Sequence, residues 1–579
     1  RAGVNAGNSI ASGGNYNVCL GDEAGTAITV GDNNVVVGYQ AGDAITEAQF
    51  NVAVGTSALG TNILGNRSVA VGNNALSTQN PASSLSSNNT AVGYDAGKIV
   101  STGIQNTLIG TQAGDGLDTA NNNTALGYLA LSGDCGNQNT SLGSQSLVVA
   151  TATDNTAVGY AAGNAISTGI NNTILGSFAA VSATSTDDCV IIGFAAGGGA
   201  TLTGHDNVLI GRDAGHDLTS GAQNVFIGRE AGDKNDDGNG SVIIGHQAGG
   251  ANFGDGLTSV GSEAGAIVTG VRNAMFGYQA GKAITSGTDC LFAGYQAGLI
   301  TTGSNNCHVG TLAGSQNTSG SSTTYVGTES GFQATGVSNT FVGRASGYVM
   351  TTGTKNTIIG RYQGNSNGLD IRTESNNIVL SDGDGNPRAF YKADTGDAAW
   401  NFNSPINNQY AFYVKNTTSD SAPYGNFVQF TAVAPNNTTS VFYGASDNSA
   451  ARYLVYSNGN VVNVNNSYGA ISDVKLKENI VDASSQWDDI KALTVRKYSM
   501  KADELDAPNM LGVIAQEVET AGMGGLVFES PDRDNEGNAL DTVVKQVNYS
   551  ILYMKAVKAL QEAMTRIETL ETKVAALEG

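Results

Sequence analysis

A phrase of about seventeen residues recurs along most of this chain, and no other feature limits its folding so tightly. Residues 155–176, "NTAVGYAAGNAISTGINNTILG", show it twice, opening on Asn-Thr-Ala-Val-Gly and closing on Asn-Thr-Ile-Leu-Gly. The glycine that ends each apolar triplet serves as an anchor. Anchors run from Gly21 through Gly38 and Gly55 to Gly343 and Gly360, 21 in all, at steps of 16 to 18 residues with one step of 21.

Positions around the anchor have fixed preferences. The residue before it is apolar in every copy (Val158, Leu175, Ile192, Ile210), and the third before it is Val or Thr in most. Alternate residues share one face of a strand, so these two are expected to point inward. The fourth before is Asn in 15 copies, including Asn155, Asn172, Asn207 and Asn356, as expected for side chains that hydrogen-bond from coil to coil. Further glycines fall seven before the anchor in 16 copies (Gly169, Gly204) and four after it in 16 (Gly163, Gly215). Both mark turns that need positive φ or close backbone approach. Seventeen residues are too few for a helix pair or a propeller blade, so parallel stacking as a β-roll or β-solenoid is expected. With strands ~4.8 Å apart, the coils would stack into a rod on the order of 100 Å.

Bulk composition agrees. Only 13% of the 579 residues are charged and 78 are Gly, which argues against one conventional core. The net charge of -22 excludes a phosphate-tracking surface, so no nucleic-acid partner is expected. The cysteines (Cys19, Cys135, Cys189, Cys290, Cys307) are scattered and odd in number, and only four His are present. Neither a disulfide framework nor a metal site is legible, no cofactor is expected, and the cysteines read as small core fillers. No apolar run approaches eighteen residues, so membrane insertion is not expected; the opening on Arg1 reads as a fragment or processed product.

The repeats resemble the head repeats of trimeric autotransporter adhesins and, more closely in the wording Asn-Thr-Ala-Val-Gly-Tyr-x-Ala-Gly, repeats in phage tail fibres. The resemblance covers about residues 14–365 and implies a homotrimer of rolls. Tyr or Arg often follows the anchor (Tyr94, Tyr160, Tyr278, Arg212, Arg344), either as subunit packing and solvated surface or as an exposed recognition ladder.

After "NNIVLSDGDGNPRAFYK" (377–392) the register stops, and 15 of the 39 aromatic residues lie between 389 and 470. Alternations such as "YAFYV" and "NFVQFTAV" read as antiparallel strands of a small β domain, 377–471, following the repeat shaft of 1–376. Its aromatics read mostly as core; the loops "KNTTSDSAPYGN" and "APNNTT" are the better receptor-binding candidates. The stretches "DGDGN", "DKNDDGNG" and "DRDNEGN" are carboxylate-rich but lack calcium-loop spacing, and read as turns.

A third domain spans 472–579, where 12 Lys/Arg and 19 Asp/Glu concentrate. Three blocks, "YGAISDVKLKENI", "MLGVIAQEVETA" and "VNYSILYMKAVKALQEAMTRIETLETKVAALEG", resemble in order the self-cleaving intramolecular chaperone domain at the end of phage tailspikes and tail fibres, of the endosialidase type, a serine peptidase family. The resemblance implies a catalytic Ser472, Asp473 and Lys477. A buried neutral Lys can take the proton of a Ser hydroxyl. Lys475 would share a face with Lys477 in an extended segment. Ser472 can reach the Ile471 carbonyl through a five-membered ring, giving an N-to-O acyl shift, or the nucleophile can come from a neighbouring subunit; which bond beside Ser472 is cut stays open. In the last helix, Leu560, Ala563, Ile567, Leu570, Val574 and Leu577 form a heptad seam for partner helices; the alternative is a helix lying on its own domain.

The expected fold is therefore mainly β: an elongated β-solenoid, a small antiparallel β domain, and an α+β chaperone ending in a coiled-coil helix, assembled as a homotrimer. The expected function is a phage tail fibre, located in the virion and extracellular on release. Its partners would be a host surface glycan or outer-membrane receptor and, through a missing N-terminal part, the phage baseplate or tail. A glycan depolymerase would need two carboxylates at fixed separation, which the repeats do not display. A bacterial trimeric adhesin would need a membrane-anchor barrel in place of the charged terminal helix. An ice-binding solenoid is disfavoured because the regular Thr positions share the face of the invariant apolar ones.

Overall fold

Each apolar triplet forms a three-residue strand, paired in parallel with the strand one repeat further on. In the computed structural model, which describes residues 2–393, 399–402, 441–446, 451–456, 461–463, 474, 477–499, 509–533 and 539–579, the chain divides into two units, Arg1–Tyr413 and Val414–Gly579. The first holds a 24-stranded sheet whose first 22 strands, Val18–Leu20 to Ile378–Ser381, run parallel and in register: Val35 lies beside Val52, and Val52 beside Val69. The period is the cause, since equal coils bring equivalent residues side by side. The one long step, between Gly72 and Gly93, spends its extra residues on a loop that ends in Leu85–Ser86, which pairs in parallel with Gly65–Asn66 of the preceding coil.

The anchors are glycine for two reasons. Gly228 has φ +136°, and a β-carbon there would lie 2.6 Å from the Gly245 carbonyl oxygen of the next coil. Gly3, with φ +131°, occupies the same place ahead of Gly21; no apolar triplet precedes it, so the repeat pattern alone does not reveal it.

One expectation is corrected here. The side chains that enter the coil are the middle ones of each triplet: Val36, Leu108, Ile174 and Phe226 are fully buried. The residues on either side face out, and Leu175 and Ile359 remain 46% and 48% exposed. The interior is narrow enough to take one side chain per strand, and it is completed by residues ten before the anchor, such as Ile28, Ile45, Leu117 and Ile166. Neighbouring positions adjust to one another. Where leucine replaces the glycine four after the anchor, at Leu59, Leu76, Leu131 and Leu147, each fully buried, the middle residue is small: Ala53, Ala70, Ala125 and Ser141. Those leucines hold left-handed φ values near 50°, a cost of roughly 1–2 kcal/mol offset by the burial of a leucine. Where the middle residue is Phe226, the position is Gly232, whose β-carbon would sit 2.7 Å from the ring. The same correction removes the ground on which an ice-binding solenoid was disfavoured, because Thr156 and Thr173 lie on the outward face.

The Asn ladder forms as expected. Asn106 Oδ1 accepts from the backbone N–H of Asn123 at 2.9 Å, and its Nδ2 donates to the Ala120 carbonyl at 2.8 Å, both in the next coil. One break in the ladder is filled by two residues. Cys189 Sγ accepts from Asn207 N–H, and Thr186 Oγ1 donates to the Gly204 carbonyl at 2.6 Å. Cys189 thus takes over the Asn acceptor rather than only filling the core, and Cys290 holds the equivalent ladder position. Inside the C-terminal coils, Phe292, His308, Tyr325 and Phe341 stack with centroids 5.0, 4.6 and 5.0 Å apart. Burial pushes the His308 imidazole down to about 3.

Outside the coils, Tyr278 and Tyr295, each following an anchor, stack on one another at 5.4 Å. Two antiparallel strands, Pro387–Lys392 and Ala399–Phe402, close the sheet. "DGDGN" is the turn before the first of them. The Asp382 carboxylate accepts from the Asn386 side chain and backbone and from Arg388, which holds it well below the usual range. In "DKNDDGNG" the Asn235 side chain closes on Gly238 at 3.3 Å. Most of "DRDNEGN" lies outside the described residues, as do the two proposed receptor loops. In the second unit, Val441–Ser446, Ala451–Tyr456 and Val461–Asn463 form an antiparallel sheet.

Candidate functional site

The described part of the C-terminal region is built around Val513, Val518, Met523, Leu526 and Leu552, all buried. These residues explain the block "MLGVIAQEVETA". Met510–Gly512 pairs antiparallel with Arg496–Tyr498, and the short helix Ala515–Val518 turns its apolar side inward. Gly512 leaves room for two phenols: a β-carbon there would lie 2.7 Å from the Tyr549 hydroxyl and 2.9 Å from that of Tyr498. The Tyr549 hydroxyl also accepts from Val513 N–H at 3.2 Å. Glu517 faces out and forks onto Arg496 at 2.8–3.1 Å, and that guanidinium holds its carboxyl below the usual range. Lys545 bridges Glu519 at 2.8 Å.

Helix Tyr549–Glu578 opens on Asn548, whose side chain accepts from Ile551 N–H, as an N-cap should. Its first turns lie on the domain through Leu552 and Ala559 and clasp the short helix Trp487–Ala492. Glu562 accepts from Ser485 Oγ at 2.7 Å and from Gln486 N–H at 3.0 Å, so one helix caps the other. Those bonds hold the Glu562 carboxyl below the usual range. Lys555 Nζ reaches Asp489 at 2.6 Å, and Arg566 sits 4.3 Å above the Trp487 ring. None of these clasp residues is visible from spacing, because the cap arrives from a helix some seventy residues away. Beyond them, Leu560, Ile567, Leu570, Val574 and Leu577 are exposed in the single chain, while Ala563 is half-buried. The start of the helix thus docks on the described C-terminal core, as in the second of the two readings, while the rest of the seam is exposed in the single chain.

Of the three expected catalytic residues, Ser472 and Asp473 lie outside the described residues, as does Lys475. Lys477 is exposed, and its backbone N–H donates to the Val474 carbonyl at 3.1 Å. Among the described residues no group of three or more His, Cys, Asp or Glu gathers in a way that could hold a metal ion, and no helix is long and apolar enough to cross a membrane.

Comparison with curated proteins and with solved structures found no match. Residues 472–527 match the Peptidase S74 family, described as chaperone of endosialidase; with the long β-solenoid ahead of this segment, the chain fits a tail fibre or tailspike that carries its chaperone at the C-terminus.

Proposed function

We propose that this chain is a phage tail fibre that attaches the virion to a host surface, assembled as a homotrimer by a C-terminal chaperone that then cuts itself off beside Ser472. The observation that carries the reading is the order of parts: a parallel solenoid of 22 strands followed by a segment matching the endosialidase chaperone. Parallel strands joined across many coils pair slowly and expose edges while they do so, which is the difficulty a trimerising module relieves by fixing register. The bare seam from Leu560 to Leu577 supports association of terminal helices.

In the proposed cleavage, Ser472 Oγ attacks the carbonyl of the bond that is cut beside it while Lys477 takes its proton, the C–N bond breaks as the leaving nitrogen receives that proton, and water hydrolyses the resulting ester to restore the Ser472 hydroxyl; Asp473 is the third residue that the family resemblance implies. Removal of the module would trap the assembled shaft kinetically. Denaturing electrophoresis with intact-mass measurement tests this on wild type beside Ser472→Ala. The expected result is a wild-type shaft fragment ending next to residue 472 and an uncut 58.9 kDa variant. Uncut chains in both would refute the peptidase and leave the fibre reading to rest on the solenoid and the family match.

A further inference from the structure

We infer that Tyr160, Phe178, Phe194 and Arg212 form a binding ridge for an acidic glycan on the flank of the roll. The inference rests on the reading that the chain attaches to a host surface, and it names the place and the chemistry of the contact.

Three observations carry it. First, the ridge is a local feature of a face that other coils leave polar. The position after the anchor is Thr56, Asn73, Ser144 and Ser262 elsewhere, so no apolar demand runs along it. In the coils anchored at Gly159, Gly176 and Gly193 the aromatic side chain alternates between the first and second place after the anchor, and the small residues Ala161, Ser177 and Ala195 take the other place. This zigzag brings the rings edge to face, Tyr160 to Phe178 at 5.2 Å and Phe178 to Phe194 at 5.9 Å, and the three residues stay 37–50% exposed. Second, Phe178 holds a left-handed φ of +59°. Most coils place a polar or acidic residue there, such as Gln40, Asp95 and Glu230. The left-handed φ of Leu59 is offset by full burial, whereas Phe178 is exposed, and strain with no burial to offset it marks a functional surface. Third, the ridge ends on a cation. The Arg212 guanidinium lies 6.0 Å from the centre of the Phe194 ring. Its Nε donates to Asp213 at 2.9 Å, and among the described residues its two terminal nitrogens make no hydrogen bond. Those nitrogens can fork onto a carboxylate.

Size and charge choose the occupant. With coils ~4.8 Å apart the ridge spans about 15 Å. Its area, on the order of 200–300 Å², falls well below the roughly 800 Å² that each partner of a specific protein interface buries. A few sugar units fit it, their apolar C–H faces against the rings and a carboxylate on Arg212. The rings favour a sugar over a bare anion, and the guanidinium favours an acidic sugar over a neutral one.

The test uses the full chain on an array of carboxylate-bearing oligosaccharides printed beside their carboxyl-reduced counterparts, with thermal unfolding and light scattering followed in parallel. Wild type should bind the acidic forms at least tenfold more tightly than the reduced ones. Phe178→Gln, which copies Gln40, should weaken binding at least tenfold while the thermal midpoint holds or rises. Arg212→Gln should remove the preference for the carboxylate, and it decides the case if Phe178→Gln does not fold. Tyr39→Thr, on the same position between Asp22 and Thr56, should bind as wild type does. Binding that survives both Phe178→Gln and Arg212→Gln would overturn the inference and leave attachment standing. A folded Phe178→Gln chain that no longer assembles would mark the ridge as packing between copies and overturn the inference as well. No binding to any glycan on the array would overturn the inference together with the glycan as the surface partner.

Discussion

Replacement of Asn106 by Ala removes one rung of the Asn ladder and nothing else of consequence. The side chain is fully buried, and it satisfies two backbone groups of the next coil, Asn123 N–H at 2.9 Å and the Ala120 carbonyl at 2.8 Å. Alanine leaves both without a partner in a dry interior. An unsatisfied buried backbone group costs about 1–3 kcal/mol, so the loss of two should total about 2–6 kcal/mol. In a stacked repeat each coil contacts its neighbours alone, so the damage stays local. Hydrogen exchange by mass spectrometry on the full chain reads it directly. Peptides covering 103–126 should exchange roughly thirtyfold to about twenty-thousandfold faster, while peptides covering 324–360 keep their wild-type rates. Gln105→Ala, an exposed change in the same coil, should do little. Unchanged exchange at 103–126, or equal acceleration by Gln105→Ala, would refute the ladder as a source of stability.

Two further predictions follow from the interior. Gly331→Ala places a β-carbon against the Tyr325 ring at a residue with φ +57°, and should destabilise the C-terminal coils by roughly 2–4 kcal/mol; Tyr325→Ala with Gly331→Leu copies the Ala53 and Leu59 arrangement and should recover much of the thermal midpoint. His308, neutral in the fold with its imidazole held down to about 3 against an ordinary 6.5, binds its proton more readily when unfolded. Its stabilising effect is therefore complete above about pH 6.5 and is lost as pH falls toward 3, by roughly 3 kcal/mol at pH 4. Thermal unfolding followed by circular dichroism should show this loss in wild type and a reduced loss in His308→Phe.

Much of the fold was legible because a stacked coil repeats its constraints. Gly228 is glycine for the same reason as Gly245, so the anchor, both turns and the Asn ladder all appear as spacing. The face of the strand was misread for a physical reason. The triplet's uniform positions look like core, and its middle position looks variable, running from Ala53 through Ser141 to Tyr325. Part of the variability is compensation: Ala53, Ala70, Ala125 and Ser141 each answer a buried leucine four after the anchor, which spacing alone does not expose. Uniformity instead marks the outward face of the sheet, where one surface repeats along the roll. In the C-terminal region, the heptad from Leu560 to Leu577 could be read from periodicity, whereas the block holding Val513 and Val518 entered only through its family resemblance. The Glu562 cap on Gln486 and the pair of phenols over Gly512 could not, since they join segments distant in sequence.

Light scattering on two preparations tests the central claim, that the C-terminal module assembles the shaft. One is the full chain; the other ends at Ile471 by an introduced stop codon. The account predicts a trimeric particle from the full chain, and monomer or aggregate from the shortened one. A shortened chain that reaches the same trimer in the same yield would contradict it.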